Sequence, residues 1–249
     1  MSTKSPPAMG SLEWLEHVYS QPPARSLKGH SKHSQYHAIP TSLDGLTVGG
    51  QGRTEACAVL LLDYLANAGY IAHFKQQPFR TTLDEFGYQI IPDYLVSCSN
   101  GNIFVIEVKT SRYITALVQA TLDRNKEKFA SVGIKYLCWT DKHPLSYNLR
   151  HNLMEMRRAS RCVPLDEIEV LSAHLHDNRR CTFAGLVDEG FDKSVVFAAA
   201  WKSKAFFDFG AIFEPTTIVS LLPQCDLASI ALSSSPSGHS WWDQLARSR

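Results

Sequence analysis

Residues 88–109 restrict the fold more than any other part of the sequence. Two apolar stretches, 88–97 and 103–109, are separated by Ser99-Asn100-Gly101-Asn102. An Asn-Gly pair between two strand-like segments is the strongest short-range sign of a β-hairpin, because both residues tolerate the positive φ angles of the turn. The sequence therefore predicts two antiparallel strands joined by a tight turn at Asn100-Gly101.

Each predicted strand carries charge within apolar sequence. Asp93 directly follows Pro92 in the first strand, and Glu107 and Lys109 lie near the end of the second. Side chains at positions i and i+2 of a strand share a face, so Glu107 and Lys109 project together. The opposite face is expected to carry the core, through Phe104, Ile106 and Val108. Across so short a turn Asp93 comes close to Glu107, and the three charges share one patch.

This patch has a chemical use. Mg²⁺ takes one or two carboxylates together with waters and substrate phosphate, and it activates a bound water. The backbone carbonyl of Val108 can complete the coordination, and Lys109 can orient the water or stabilise charge in the transition state. The alternative is a set of salt bridges on a half-exposed sheet, which would add less than about 1 kcal/mol to stability.

The segments around the hairpin predict an α/β core with a mixed sheet. Helical periodicity covers 51–68, which includes Glu55 in its first turn, and Tyr70–Phe74 is a short apolar strand. After the hairpin, 115–131 has the pattern of a helix and 134–139 that of a strand. The last strand therefore reaches the sheet through a helical crossover. Taken alone, Glu55 is an acid that favours the helix dipole.

The C-terminal part predicts a second module. A helix with several arginines covers 145–161 and closes the first domain, assigned to residues 24–162. Residues 163–232 then show three helices, with Asp166 and Asp192 as N-caps of the first and third. Two short strands, AFFDFG and TTIVSLL, follow. This order is typical of a winged helix, a module that binds DNA or docks proteins.

Both ends of the chain are predicted to be less ordered. Residues 1–23 form a partly disordered lead, and 233–249 form a flexible tail with Trp241-Trp242, which either docks a partner or folds back. Between lead and core, Arg25, Lys28 and Lys32 occur without an acid nearby. These three cations form either a solvated loop or an arm on a DNA backbone.

Composition narrows the classes of function. The net charge is +1, from 25 basic and 24 acidic residues, so any binding of nucleic acid must use local patches. Six cysteines occur without a CxxC pair, which gives no zinc signature. The start lacks the apolar stretch of a signal peptide, and no apolar run is long enough for a membrane span. We expect a cytoplasmic bacterial protein.

Pro92-Asp93 followed by Glu107-Val108-Lys109 resembles the PD-(D/E)xK nuclease motif, with Glu55 as the outer acid. More specifically, residues 24–222 resemble TnsA, the endonuclease subunit of heteromeric transposases. The matching features include the approach Arg25-Ser-Leu-Lys-Gly, the Glu55 helix, PDYLV, IEVK and the strand that ends in Trp139-Thr140-Asp141.

The resemblance implies a restriction-endonuclease-like domain followed by a winged helix. It implies a metal-dependent DNA endonuclease that cuts at the 5′ ends of a transposon, with Mg²⁺ or Mn²⁺ as cofactor. Asp93, Glu107, Glu55 and the Val108 carbonyl would hold the metal, and Lys109 would act on the attacking water. A TnsB-like DDE transposase and a TnsC-like AAA+ ATPase would be the partners. The acidic position that Glu107 fills varies within this family.

Two other functions are compatible with the sequence. A stand-alone restriction or repair endonuclease would use the same residues without partners. A non-catalytic assembly adaptor would use the winged helix, the arginine-bearing helix and the tail for docking, and its strand charges would form only salt bridges. Metal binding at the hairpin separates the adaptor from both nucleases.

Overall fold

The computed structural model describes residues 7–25, 36–43, 47–82, 89–223 and 231–232. They divide into two compact units, each assembled from separate stretches of sequence. The first unit holds residues 7–25, 71–82, 89–140 and 231–232, and the second holds 36–43, 47–70 and 141–223. The predicted domain boundaries at residues 24, 163 and 233 stay predictions.

The described chain contains helices and strands throughout both units. The helices are α1 Leu12–Ser20, α2 Arg53–Asn67, α3 Ala116–Ala130, α4 Tyr147–Ala159, α5 Leu165–Asn178, α6 Phe183–Asp188 and α7 Lys193–Trp201, with a 3-10 turn at Ser111–Tyr113. The strands are β1 Tyr36–Pro40, β2 Thr47–Gln51, β3 Ile71–Gln76, β4 Thr81–Thr82, β5 Gln89–Ile90, β6 Tyr94–Cys98, β7 Ile103–Lys109, β8 Lys135–Thr140, β9 Arg180–Thr182 and β10 Ile218–Ser220. The prediction of an α/β protein is confirmed.

A four-stranded mixed sheet forms the centre of the first unit. Its strand order is β3-β6-β7-β8, antiparallel except for the parallel pair β7 and β8. The predicted turn joins β6 to β7, with Gly101 at a φ of +83°. Helix α3 makes the crossover from β7 to β8, as the sequence predicts, because parallel neighbours cannot be joined by a tight turn.

The first predicted strand is broken. Residues 88–97 were expected to be one strand, but β5 ends at Ile90 and β6 begins at Tyr94. Asp93 therefore lies in the break, one residue before β6. Pro92 explains the interruption, because proline has no N–H to donate to a strand partner.

The core of the first unit lies on the face of β7 that also carries Glu107. Leu95 and Val105 are fully buried there, in one cluster with Trp14 of α1 and Phe129 of α3. The expectation that only the opposite face takes the core is wrong. Phe104, Ile106 and Val108 on that face are buried as well. Strand β7 is therefore buried on both faces, and Glu107 and Lys109 lie at its C-terminal end on the same face as the buried Val105.

The second unit packs α2 with α4 and with the β1-β2 pair, and packs α7 with α4 and α5. Residues 56–65 of α2 are all buried, as are 195–201 of α7. Asp192 caps α7, as predicted, by accepting hydrogen bonds from the N–H groups of Ser194 and Val195. Asp166 is not an N-cap, because α5 begins at Leu165 with Pro164 at the cap position.

The predicted pair of C-terminal strands is wrong in part. β10 pairs with β9, which precedes α6, and AFFDFG contributes a single bridge from Phe206 to Ser220. Two aromatic side chains explain this: Phe207 and Phe209 are buried and lie 4.8 Å apart between ring centroids. Packing of these rings replaces strand pairing beyond Phe206.

A glycine fixes the close approach of β2 to α2. A Cβ atom at Gly50 would lie 2.7 Å from the backbone nitrogen of Ala56 and 3.0 Å from the carbonyl carbon of Glu55. Backbone atoms in the first turn of a helix cannot move to relieve this clash as a flexible side chain could. We therefore expect Gly50→Ala to lower the free energy of unfolding by about 1–3 kcal/mol. Urea denaturation measures this loss. Gly185→Ala is the matched control, since its new Cβ would meet one side-chain oxygen, of Thr182, at 3.3 Å. Equal stability of both variants would contradict the prediction.

Within the described residues, no helix is both long and apolar enough to cross a membrane.

Candidate active site

The β6-β7 hairpin brings Asp93 and Glu107 together. Tyr94 pairs with Ile106 in the antiparallel register, so the next step along both chains sets Asp93 opposite Glu107. The carboxylate oxygen Oδ2 of Asp93 accepts a hydrogen bond of 2.8 Å from the backbone N–H of Val108. The proximity that the sequence predicts for these two carboxylates is therefore present.

Lys109 completes the group. Its Nζ donates to Oε1 of Glu107, in an ion pair between residues two positions apart on one face of β7. The Glu107 side chain is 13% exposed and that of Lys109 is 36% exposed. The carboxylate is therefore held inside while the ammonium reaches toward water.

Burial shifts the ionisation of both carboxylates. Burial raises the pKa of Glu107 to about 7, and the nearby charge of Asp93 adds to this, while Lys109 opposes it. Burial also raises the pKa of Asp93, against the charge of Lys109 and the hydrogen bond from Val108. For Lys109, burial lowers the pKa, but the two carboxylates outweigh burial and the net shift is upward.

The donor atoms fit a hard divalent cation. Oε2 of Glu107 is buried and has no hydrogen-bond partner among the described residues. The N–H and C=O of one strand residue point to the same side of the strand. The N–H of Val108 points toward Asp93, so the carbonyl of Val108 faces that side too. Val108 lies past Ile106, which forms the last β6-β7 residue pair with Tyr94. Among the described residues, no three His, Cys, Asp or Glu side chains are grouped to hold a metal. Two carboxylates and a carbonyl suit Mg²⁺, which keeps several waters, better than zinc.

Arg25 is the described member of the predicted basic arm. Its Nε donates a 3.1 Å hydrogen bond to Oε1 of Gln77, and its positive charge partly opposes the rise that burial causes in the pKa of Asp93. Arg25 is therefore close enough to Asp93 to act on it electrostatically. Lys28 and Lys32 lie outside the described residues, as does Trp241-Trp242.

Glu55 lies in the second unit, in the first turn of α2, where it is half-buried. Asp93, Glu107, Val108 and Lys109 all lie in the first unit. The role of Glu55 as an outer metal ligand stays a prediction.

Sequence reasoning missed two buried polar residues. Asp63 directly follows the apolar run Ala-Val-Leu-Leu-Leu of α2 and is 1% exposed, so an acid between that run and Tyr64-Leu65 was an available signal. Gln77 is 2% exposed and contacts the backbone of Asp93 through its own backbone N–H. Nothing in the sequence around Gln77 distinguishes it from an ordinary loop glutamine.

Comparison with protein-family models yields no match to this chain, and comparison with curated proteins yields none either.

Proposed function

We propose that this chain is a metal-dependent DNA endonuclease. One observation carries the proposal: Asp93 and Glu107 meet at the end of a buried hairpin, with Lys109 on Glu107 and an unpartnered buried oxygen on the same carboxylate. Leaving a buried carboxylate oxygen without a partner is costly. A divalent cation between the two carboxylates would remove that cost.

The residues have distinct tasks in phosphodiester hydrolysis. Mg²⁺, when bound, would polarise a phosphoryl oxygen and lower the pKa of a water. Asp93 and Glu107 would hold the cation with the Val108 carbonyl. Lys109, released from Glu107, would orient the attacking water and stabilise the negative charge that develops on the phosphate. Hydrolysis of this kind leaves a 5′-phosphate and a 3′-hydroxyl.

The architecture is compatible with the TnsA resemblance. The sheet order β3-β6-β7-β8 supports a restriction-endonuclease-like domain, with Asp93 just before β6, Glu107 on β7 and a crossover helix after β7. In the second unit α5, α6 and α7 with the β9-β10 pair have the composition of a winged helix. We infer that the substrate is the 5′ end of a transposon and that a DDE transposase and an AAA+ ATPase are partners.

The ion pair between Lys109 and Glu107 favours a second candidate, a non-catalytic adaptor. In that case the charges serve stability alone, and the chain docks other proteins of an assembly. An adaptor would bind neither Mg²⁺ nor Mn²⁺ at the hairpin.

The wild-type chain tests the proposal with supercoiled plasmid that carries transposon ends, in Mg²⁺, Mn²⁺ or EDTA, alone and with a cognate transposase and ATPase. We expect metal-dependent nicking that requires the partners, because a net charge of +1 gives little unaided affinity for DNA. Nicking by the chain alone would favour a stand-alone nuclease. No nicking in any mixture, with no metal binding by calorimetry, would support the adaptor.

A further inference from the structure

Gln77 has an unusual backbone for its residue type. Its φ is +46°, in the left-handed region that residues with a Cβ seldom adopt, and it directly follows β3. Its side chain is buried although it is polar. A residue keeps such a strained backbone conformation only when surrounding contacts hold it there, and residues of this kind cluster at functional sites.

Three hydrogen bonds connect Gln77 to two parts of the first unit. Its N–H donates to the backbone oxygen of Asp93 at 2.8 Å, and its own backbone oxygen accepts from the N–H of Ala24 at 2.8 Å. Its side-chain oxygen accepts from Nε of Arg25 at 3.1 Å. One residue therefore sets the position of Arg25 relative to the carboxylate of Asp93.

Arg25 has the properties of a phosphate-binding group. Its side chain is exposed, and in the described part of the chain only Gln77 accepts a hydrogen bond from its guanidinium. That bond uses only the Nε–H, and among the described residues the N–H groups of the two terminal nitrogens donate to no other acceptor. A guanidinium held in this way can bind two phosphate oxygens at once, which an ammonium cannot.

We propose that Gln77 is a positioning residue that holds Arg25 as the second cation of the site, where Arg25 binds a phosphate of the DNA strand beside Lys109. The proposal rests on the proposed endonuclease function. It distinguishes two tasks: Lys109 acts at the scissile phosphate, and Arg25 clamps the strand. The competing explanation is that Arg25 only anchors the N-terminal segment to the sheet.

Glycine at position 77 gives a clean variant. Glycine adopts a φ of +46° without strain, so Gln77→Gly is compatible with the backbone bonds to Asp93 and Ala24 and removes the side chain that supports Arg25. The full set is Gln77→Gly, Arg25→Ala, Arg25→Lys and the Arg25→Ala/Gln77→Gly double variant. Lys128→Ala is the control, because Lys128 is an exposed cation on α3 of the same unit.

Two measurements are made on the full chain. Fluorescence anisotropy with a labelled duplex oligonucleotide in EDTA gives DNA affinity at several salt concentrations. Single-turnover cleavage in Mg²⁺, with the partners that the wild type requires, gives the rate of the chemical step. Circular dichroism checks that each variant is folded.

We expect Arg25→Ala to weaken DNA binding about tenfold and to lower the slope of log affinity against log salt by about one. Cleavage should fall about 100-fold, with partial recovery in Arg25→Lys. Gln77→Gly should slow cleavage about tenfold in the wild-type background and not at all in the Arg25→Ala background. Lys128→Ala should match the wild type in cleavage.

Other results overturn the proposal. If Arg25→Ala binds and cleaves like the wild type, Arg25 does not contact the strand. If Gln77→Gly slows cleavage equally in both backgrounds, Gln77 acts through Asp93 and does not position Arg25. A wild type that never cleaves DNA defeats the proposed function, and the binding data in EDTA then still decide whether Arg25 holds phosphate.

Discussion

We expect Asp93→Asn to remove metal-dependent cleavage while the chain stays folded. The amide keeps an oxygen that can accept from the Val108 N–H but has no negative charge to offer a cation. Loss of a residue that merely supports a metal ligand costs about 10–100-fold in affinity or activity, so loss of the ligand itself should exceed about 100-fold. A single-turnover assay on end-labelled transposon DNA in Mg²⁺ measures the rate.

Lys109→Ala should act on the rate and leave metal binding in place. Removing one group that stabilises transition-state charge costs about 10²–10³-fold in rate. Calorimetric titration with Mn²⁺ should still detect binding, and that binding should be stronger because the cation no longer competes with an ammonium for Glu107. Cleavage at the wild-type rate by both Asp93→Asn and Lys109→Ala would mean that the catalytic centre lies elsewhere.

Asp63→Ala should produce the largest loss of stability in the second unit. Oδ1 of Asp63 accepts from the backbone N–H of Ser42 at 2.6 Å, and Oδ2 accepts from Nε of Arg157 at 3.2 Å. Asp63 is 1% exposed and Arg157 is 15% exposed in their side chains. Removing one partner of a buried pair leaves the other charge uncompensated, which costs about 3–5 kcal/mol. Urea unfolding followed by circular dichroism measures the change.

Asp63→Asn separates the charge from the hydrogen bonds. The amide oxygen can still accept from Ser42, so the loss should be smaller, about 1–3 kcal/mol. Double substitution of Asp63 and Arg157 by apolar residues should recover part of the loss, since no charge then remains buried. A change below about 1 kcal/mol in Asp63→Ala would show that water replaces the carboxylate at no cost.

The site was predictable from sequence where it depends on local chemistry. The Asn100-Gly101 turn and the two-residue period of a strand place Asp93, Glu107 and Lys109 together without knowledge of any distant contact. The break before β6 was readable in principle, because Pro92 cannot donate to a ladder.

The sequence predictions that were wrong or incomplete depend on contacts between residues far apart in the sequence. Charges at Glu107 and Lys109 suggest a face in contact with water, but α1 and α3 cover the rest of that face through Trp14 and Phe129. Aromatic residues in AFFDFG favour a strand by propensity, and ring packing overrides it. Gln77 contacts Arg25 across 52 positions, and left-handed φ at a non-glycine residue leaves no trace in composition.

The proposed site has two parts, the carboxylate pair on the hairpin and the guanidinium of Arg25. They differ in the sequence separation of the residues that must come into contact. Asp93 and Val108 are 15 positions apart, whereas Arg25 and Gln77 are 52 apart. Closing the longer loop costs about 1 kcal/mol more in chain entropy, and hairpins form in roughly 1–10 μs. We therefore expect the carboxylate pair to assemble early in folding and the guanidinium to arrive late. On this proposal, a chain in which only the hairpin has folded could already bind a cation, but it would bind DNA more weakly until Arg25 is in place.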